Sequence, residues 1–154
     1  MKFRYLLFLA LLLPFNVASS SFHDKSLNAM YRKAAKTNGI PIGLLRAVCE
    51  IESRHNLKVK KVWDGGSYSY GVCQVKLGTA RLLGFKGKEQ QLIDPNTNVD
   101  YAAKYLAYQL KRYKGDYKKA IVSYNRGSYN KDETMTYSGK VALAFLTNTL
   151  KGIK

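Results

Sequence analysis

Leu44-Leu45-Arg46-Ala47-Val48-Cys49-Glu50-Ile51-Glu52-Ser53-Arg54 is the stretch on which the reading of this chain turns. Set on a helix at about 100° per residue, Leu44, Leu45, Ala47, Val48, Cys49 and Ile51 share one broad face. The pattern predicts a helix that opens at Pro41 and runs to about Ser53. Glu50 falls on the opposite face, four residues from Arg46 and four from Arg54, which is the spacing of a solvated charge ladder. Glu52 has no such account. It lies inside the apolar arc, roughly 20° from Leu45 and 40° from Val48, and no cation stands at helical spacing on its own face. Burial there raises a carboxyl pKa to about 6 or above. A carboxyl that keeps its proton near neutral pH is what a general acid for glycosidic cleavage requires. The bland alternative is a glutamate at the helix end that reaches water.

Outward from this segment the chain reads as mostly helical. A helix is expected from about Asp24 to Thr37, with Leu27, Met30, Tyr31, Ala34 and Ala35 apolar and Gly39 as its stop. Residues 56 to 73 are the least helical stretch, and Val59, Val62 and Trp63 before Asp64-Gly65-Gly66 suggest a small hairpin or long loop. Asp64 there reads as part of a plain turn. Short helices start near Thr79 and Lys88. A longer one follows Asp94-Pro95 and runs to about Tyr113. One side carries Val99, Ala102, Ala103, Leu106 and Leu110, and the other Tyr101, Tyr105 and Tyr108, so it is expected to be central, its tyrosines packed in the core rather than lining a sugar groove. Asp116 caps a helix to about Tyr124. A last amphipathic helix, about 138 to 151, carries Val141, Leu143, Ala144, Phe145 and Leu150.

The chain has 154 residues and a formal net charge of +16. Lys2 and Arg4 followed by an apolar run from Tyr5 to Phe15 and small residues at 17 to 20 read as a secretory leader, cut after one of residues 18 to 20. The run is roughly half the ~20 residues of a spanning helix, which argues against a stable membrane anchor. The expected organisation is a leader over 1–20 and one domain over 21–154. Without the leader the charge stays strongly positive, which implies anionic partners. Export favours the polymers of a bacterial envelope, and the even spread of the basic residues argues against a nucleic-acid module. Two cysteines, Cys49 and Cys73, are free to form a disulfide after export or to serve as two small buried hydrophobes. With no CxxC or CxxH spacing and only His23 and His55, neither a metal site nor a cofactor is expected.

Four short motifs stand in order: Glu52-Ser53; Gly71-Val72-Cys73-Gln74; Ser123-Tyr124-Asn125-Arg126-Gly127; and Glu133-Thr134 with Tyr137 three residues beyond the threonine. They resemble the lytic transglycosylases of the soluble, lysozyme-like type, whose pattern is Glu-Ser, Gly-Leu-Met-Gln, Ala-Tyr-Asn-Ala-Gly, then Glu-Thr and a Tyr. Thr79-Ala80-Arg81, Asp94-Pro95 and Ala103-Lys104-Tyr105-Leu106 agree with it, and the resemblance covers about residues 30 to 145. It implies a mainly α, lysozyme-like α+β fold, with a small hairpin or loop region beside a glycan cleft. It implies that Glu52 is the catalytic acid and base and that Ser53 shapes its surroundings. It also implies that Gln74, Tyr124, Asn125 and Tyr137 line the cleft, and that Glu133 aids substrate binding. The departures are Cys73 for the usual Met and Arg126 for a small residue. Cys49 and Cys73 would both lie near the site, where a disulfide would lock the catalytic helix to the Gln74 loop.

The resemblance implies cleavage of the β-1,4 bond from N-acetylmuramic acid to N-acetylglucosamine in peptidoglycan strands, with closure of a 1,6-anhydro ring. Small members of this family open the wall for secretion, conjugation or phage assemblies, so a partner of that kind is implied, as is a location in the periplasm or outside the cell. One rival is a goose-type-like lysozyme that hydrolyses the same bond. Goose-type enzymes often carry an Asp two residues after the Gln, where this chain has Lys76, and Asp64, the only acid between Glu52 and Glu89, is the alternative for a hydrolytic role. The rival of another class, a cationic wall- or membrane-binding protein without catalysis, suits the charge and the twelve tyrosines, but leaves Glu52 unexplained.

Overall fold

The computed structural model of the protein describes residues 17–64, 66–130 and 136–150, with side chains from Lys25 onward. Glu133 lies outside the described residues. These hold seven helices and one small antiparallel sheet. Helix α1 (Val17–Asn38) ends at Gly39, whose φ of 65° suits the residue after a helix. It starts earlier than the expected Asp24, since neither Gly nor Pro interrupts residues 16 to 38. Helix α2 (Ile42–Ser53) follows Pro41. Then come β1 (Lys61–Asp64), β2 (Ser67–Tyr70) and β3 (Val75–Lys76), paired in that order, with Trp63 opposite Tyr68 and Ser69 opposite Lys76.

Short helices α3 (Leu77–Leu82) and α4 (Glu89–Leu92) lead to α5 (Pro95–Arg112). Asp94 accepts the Thr97 N–H at 2.9 Å as the α5 N-cap, with Pro95 in the first turn. Asp116 does the same for Lys119 at 3.0 Å, opening α6 (Tyr117–Arg126), and Gly127 closes it at φ 83°. Helix α7 (Thr136–Leu150) is the last of the described elements.

Helix α5 is the central element, packed by α1 on one side and α6 on the other, while α2 lies against α7. The core gathers Leu44, Leu45 and Val48 of α2 with Val99, Ala102 and Leu106 of α5. Full burial of each of these leucines contributes about 2 kcal/mol. Several expectations are corrected. In α7, Val141, Ala144 and Asn148 face the core, so Leu143, Leu146 and Leu150, on the other side of the helix, are exposed. In α5, Tyr105 is buried but Tyr108 is exposed. The Glu50 ladder does not form. Arg46 is buried, its guanidinium bonded to Asn28 and lying 5.3 Å from the Tyr31 ring centre. Arg54 turns off the helix at φ 56°, and Glu50 faces His55 at 4.0 Å.

Candidate active site

Helix α2 delivers Glu52 in its last turn to the wall of a cleft of about 510 Å³. The run from Ile42 to Cys49 is buried and Ile51 is partly buried, so the helix is anchored by that face and Glu52 is carried inward with it. Its Oε1 accepts the Tyr137 hydroxyl of α7 at 2.5 Å. Burial raises the Glu52 carboxyl to about 7, against the lowering effect of the Tyr137 hydrogen bond, and Asp64 adds a further push upward. Such a carboxyl is half protonated at neutral pH, so it is able to give a proton and, once ionised, to take one.

The loop from Gly71 to Gln74 forms the next part of the wall. Gly71 has φ 67°, and a Cβ placed there would stand 2.6 Å from the Asn98 side chain, so only glycine fits. Asn98 is fully buried on α5 and clasps this loop. Its Nδ2 donates to the carbonyls of Tyr70 at 2.7 Å and Leu92 at 2.8 Å, and its Oδ1 accepts the Cys73 N–H at 2.8 Å. Gln74 itself takes φ 50°, and its Nε2 donates to the Gly71 carbonyl at 2.7 Å. Cys73 is joined to Cys49 by a disulfide with Cα atoms 4.3 Å apart. The bond ties the loop to α2 one turn before Glu52.

Tyr124 of α6 is buried against the same loop, its hydroxyl donating to the Cys73 carbonyl at 2.9 Å. Desolvation holds the phenol well above its ordinary pKa, so it stays a neutral donor. Gln74, Tyr124 and Asn125 line the cleft together with Glu52. Ser53 turns away to brace the loop, its Oγ donating to the Val72 carbonyl at 2.6 Å and accepting the Asn56 N–H at 3.1 Å. Tyr137 meets the site through Glu52. Arg126 also stands on the cleft wall.

Other cleft residues were assigned elsewhere by the sequence, Tyr105 to the core and Asp64 to a turn. Tyr105 lines the cleft from α5, its hydroxyl donating to the Ser123 carbonyl at 3.2 Å. Asp64, expected in a plain turn, lines it from the end of β1, paired with Lys76. Asn98 also went unnoticed, although one signal was present: it lies about 40° from Ala102 on the helix wheel, a polar group on a buried face like Glu52. Among the described residues no group of three His, Cys, Asp or Glu side chains is placed to hold a metal.

The family model described as the transglycosylase SLT domain matches residues 29–144. The chain is 32% identical over 112 residues to the peptidoglycan transglycosylase gp16 of Escherichia phage T7, a match covering 68% of this chain and 8% of that protein. It is 33% identical over 118 residues to protein IpgF of Shigella flexneri, covering 74% of this chain and 77% of IpgF. Among solved structures, an inactive mutant of the lytic transglycosylase Slt of Pseudomonas aeruginosa superposes with a TM-score of 0.67 over 80% of this chain and 24% of that one. At 21% identity that likeness establishes the fold, a mainly helical lysozyme-like one.

Proposed function

Because the chain belongs to the family of transglycosylase SLT domains, we propose that it is a peptidoglycan lytic transglycosylase in which Glu52 is both acid and base. The observation that carries this reading is the Glu52 carboxyl itself. It stands on a cleft wall, is held by Tyr137, and is raised to about 7 by burial. The gp16 relative bears the name of a peptidoglycan transglycosylase and supports the same substrate.

The protonated Glu52 gives its proton to the oxygen that links N-acetylmuramic acid to N-acetylglucosamine, and the bond from the muramyl carbon to that oxygen breaks. Positive charge develops at the muramyl carbon, with the 2-acetamido group placed to assist. The sugar's own 6-oxygen then bonds to that carbon while its proton passes to the ionised Glu52. A 1,6-anhydro ring closes, no water is consumed, and the acid is restored. Gln74, Asn125 and Tyr124 present amide and hydroxyl groups to the sugars, Ser53 holds the loop that carries Gln74, and Glu133 contributes to substrate binding.

Residues 1–20 are proposed as a secretory leader, on the charge and apolar pattern of the sequence, and the site of action as the periplasm or the cell exterior. Among the described residues no helix is long and apolar enough to cross a membrane. A wall-opening role within a secretion, conjugation or phage assembly is proposed on the likeness to gp16, a phage protein.

The test is digestion of purified peptidoglycan, beside a Glu52→Gln control, with the released fragments weighed by mass spectrometry. Anhydromuramyl fragments, one water lighter than hydrolysis products and absent from the control, are expected. Reducing-end fragments would make the protein a hydrolase, and release undiminished by Glu52→Gln would remove Glu52 from its role.

A further inference from the structure

Besides Glu52, Asp64 is the one carboxylate among the described residues that lines the cleft. It is held by Lys76, whose Nζ lies 2.9 Å from Asp64 Oδ2 and 3.5 Å from the Asp64 carbonyl oxygen. The sheet register explains how. Asp64 pairs with Ser67, and Ser69 pairs with Lys76. Directly opposed residues share a face, and so do residues two apart on one strand. Asp64, Ser67, Ser69 and Lys76 therefore project from the same face of the sheet, and Asp64, Ser69 and Lys76 line the cleft. The two serines between them are short, which leaves room for the lysine to reach across β2 to the carboxylate.

We propose that Lys76 is a positioning residue that occupies Asp64, keeps it from activating water, and so directs cleavage at Glu52 to ring closure rather than hydrolysis. The inference rests on the transglycosylase reading above. On both routes the proton of Glu52 goes to the departing oxygen as the glycosidic bond breaks. In ring closure the 6-oxygen bonds to the muramyl carbon and its proton returns to Glu52. In hydrolysis a water oxygen bonds to that carbon, and one of its protons goes to a second carboxylate free to accept it.

Asp64 is the carboxylate in place for that task, near enough for its charge to be felt by Glu52. With the Lys76 ammonium on Oδ2 it has an acceptor occupied and its side chain tied to β3. Asp64 is exposed and Lys76 half-buried, and an exposed pair of this kind is weak in water. A glycan strand lying across it excludes water and strengthens the attraction at the moment it matters.

The experiment compares fragments released from peptidoglycan by the unaltered protein, Lys76→Met, Lys76→Arg and the Lys76→Met/Asp64→Asn double variant. The ratio of reducing-end to anhydromuramyl ends is read by mass spectrometry. Lys76→Met keeps the aliphatic stem and removes the charge. Its ratio is expected to rise about tenfold or more, a modest part of what a positioned general base contributes. Lys76→Arg keeps the pair and is expected to keep the original ratio, and the double variant to return to it. An unchanged ratio in Lys76→Met would overturn the proposal, as would a rise that persists in the double variant, since water would then enter without Asp64. Anhydromuramyl ends from the unaltered protein establish the parent reading separately. Reducing ends from it would overturn that reading and this proposal together.

Discussion

Tyr137 donates its hydroxyl to Glu52 Oε1 at 2.5 Å, joining the start of α7 to the end of α2 across 85 residues of sequence. The bond lowers the Glu52 carboxyl from where burial alone would place it. In the proposed mechanism the first proton transfer needs Glu52 protonated, so activity is expected to fall as pH rises through about 7. In Tyr137→Phe the lowering contact is gone, and the alkaline limb of the kcat/KM profile is expected to move to higher pH. At pH 6 kcat is expected to fall about tenfold, because the acid loses the contact that aims it. A Tyr137 that only packed α7 against α2 would leave the limb where it was.

The same carboxyl makes stability depend on pH. Its folded pKa, about 7, lies above its ordinary value of 4.5. Between those values the folded protein keeps a proton that the unfolded chain has released. Stability from this group is complete below about pH 4.5 and is lost as pH rises through 7. The span corresponds to a difference on the order of 3 kcal/mol. Glu52→Gln, which carries no charge at any pH, is therefore expected to be more stable than the parent at pH 8 and to show little difference at pH 4.5. Urea unfolding at the two pH values measures this, and equal differences at both would contradict the burial account.

Two kinds of signal made parts of the site legible from sequence: local periodicity, which singles out Glu52, and the four ordered motifs, which bring in Gln74, Tyr124, Asn125 and Tyr137. Glu52 was placed by the wheel of a single helix, and the starts of α5 and α6 by Asp94-Pro95 and Asp116, which act within one turn. What stayed hidden depends on partners distant in the chain. Asn98 is explained by carbonyls at residues 70 and 92 and an N–H at 73. The Lys76–Asp64 pair depends on the register of strands of two to four residues. Glu50 lost its expected ladder because Arg54 leaves the helix with a left-handed backbone and Arg46 is drawn to Asn28 and Tyr31. Such choices are made by tertiary packing, which no window of one helix contains.

Asn98 and Gly71 together fix where Gln74 points. Asn98→Ala would strand the Cys73 N–H and the carbonyls of Tyr70 and Leu92 inside the core, and a loss of about 2–4 kcal/mol in unfolding free energy is expected. Asn98→Asp is close in shape and keeps an acceptor for Cys73, but it replaces the two donated bonds with a carboxylate oxygen facing two carbonyls. It is expected to be at least as destabilising at neutral pH. Gly71→Ala combines a left-handed φ with a Cβ pressed on Asn98, at a cost of more than about 1 kcal/mol. Chemical denaturation ranks the three. Asn98→Asp as stable as the parent would remove the donated bonds from the account.

The Cys49–Cys73 bond closes a loop with a sequence separation of 24, and that loop holds β1, β2 and Asp64. Opening it frees the unfolded chain, and a loss of about 3 kcal/mol is expected for the Cys49→Ala/Cys73→Ala variant. The bond also joins the two pieces that meet in the proposed mechanism, the end of α2 and the Gln74 loop. Asn98, Tyr124 and Ser53 hold the same loop by separate hydrogen bonds, so the loop stays in place without the disulfide, though less firmly. The variant is therefore expected to remain folded at 25 °C and to keep measurable activity, with kcat reduced more than KM is raised. Unfolding curves with and without reductant, beside steady-state rates on peptidoglycan, separate the two effects. A parent protein whose unfolding midpoint does not respond to reductant would show that the bond carries none of this load.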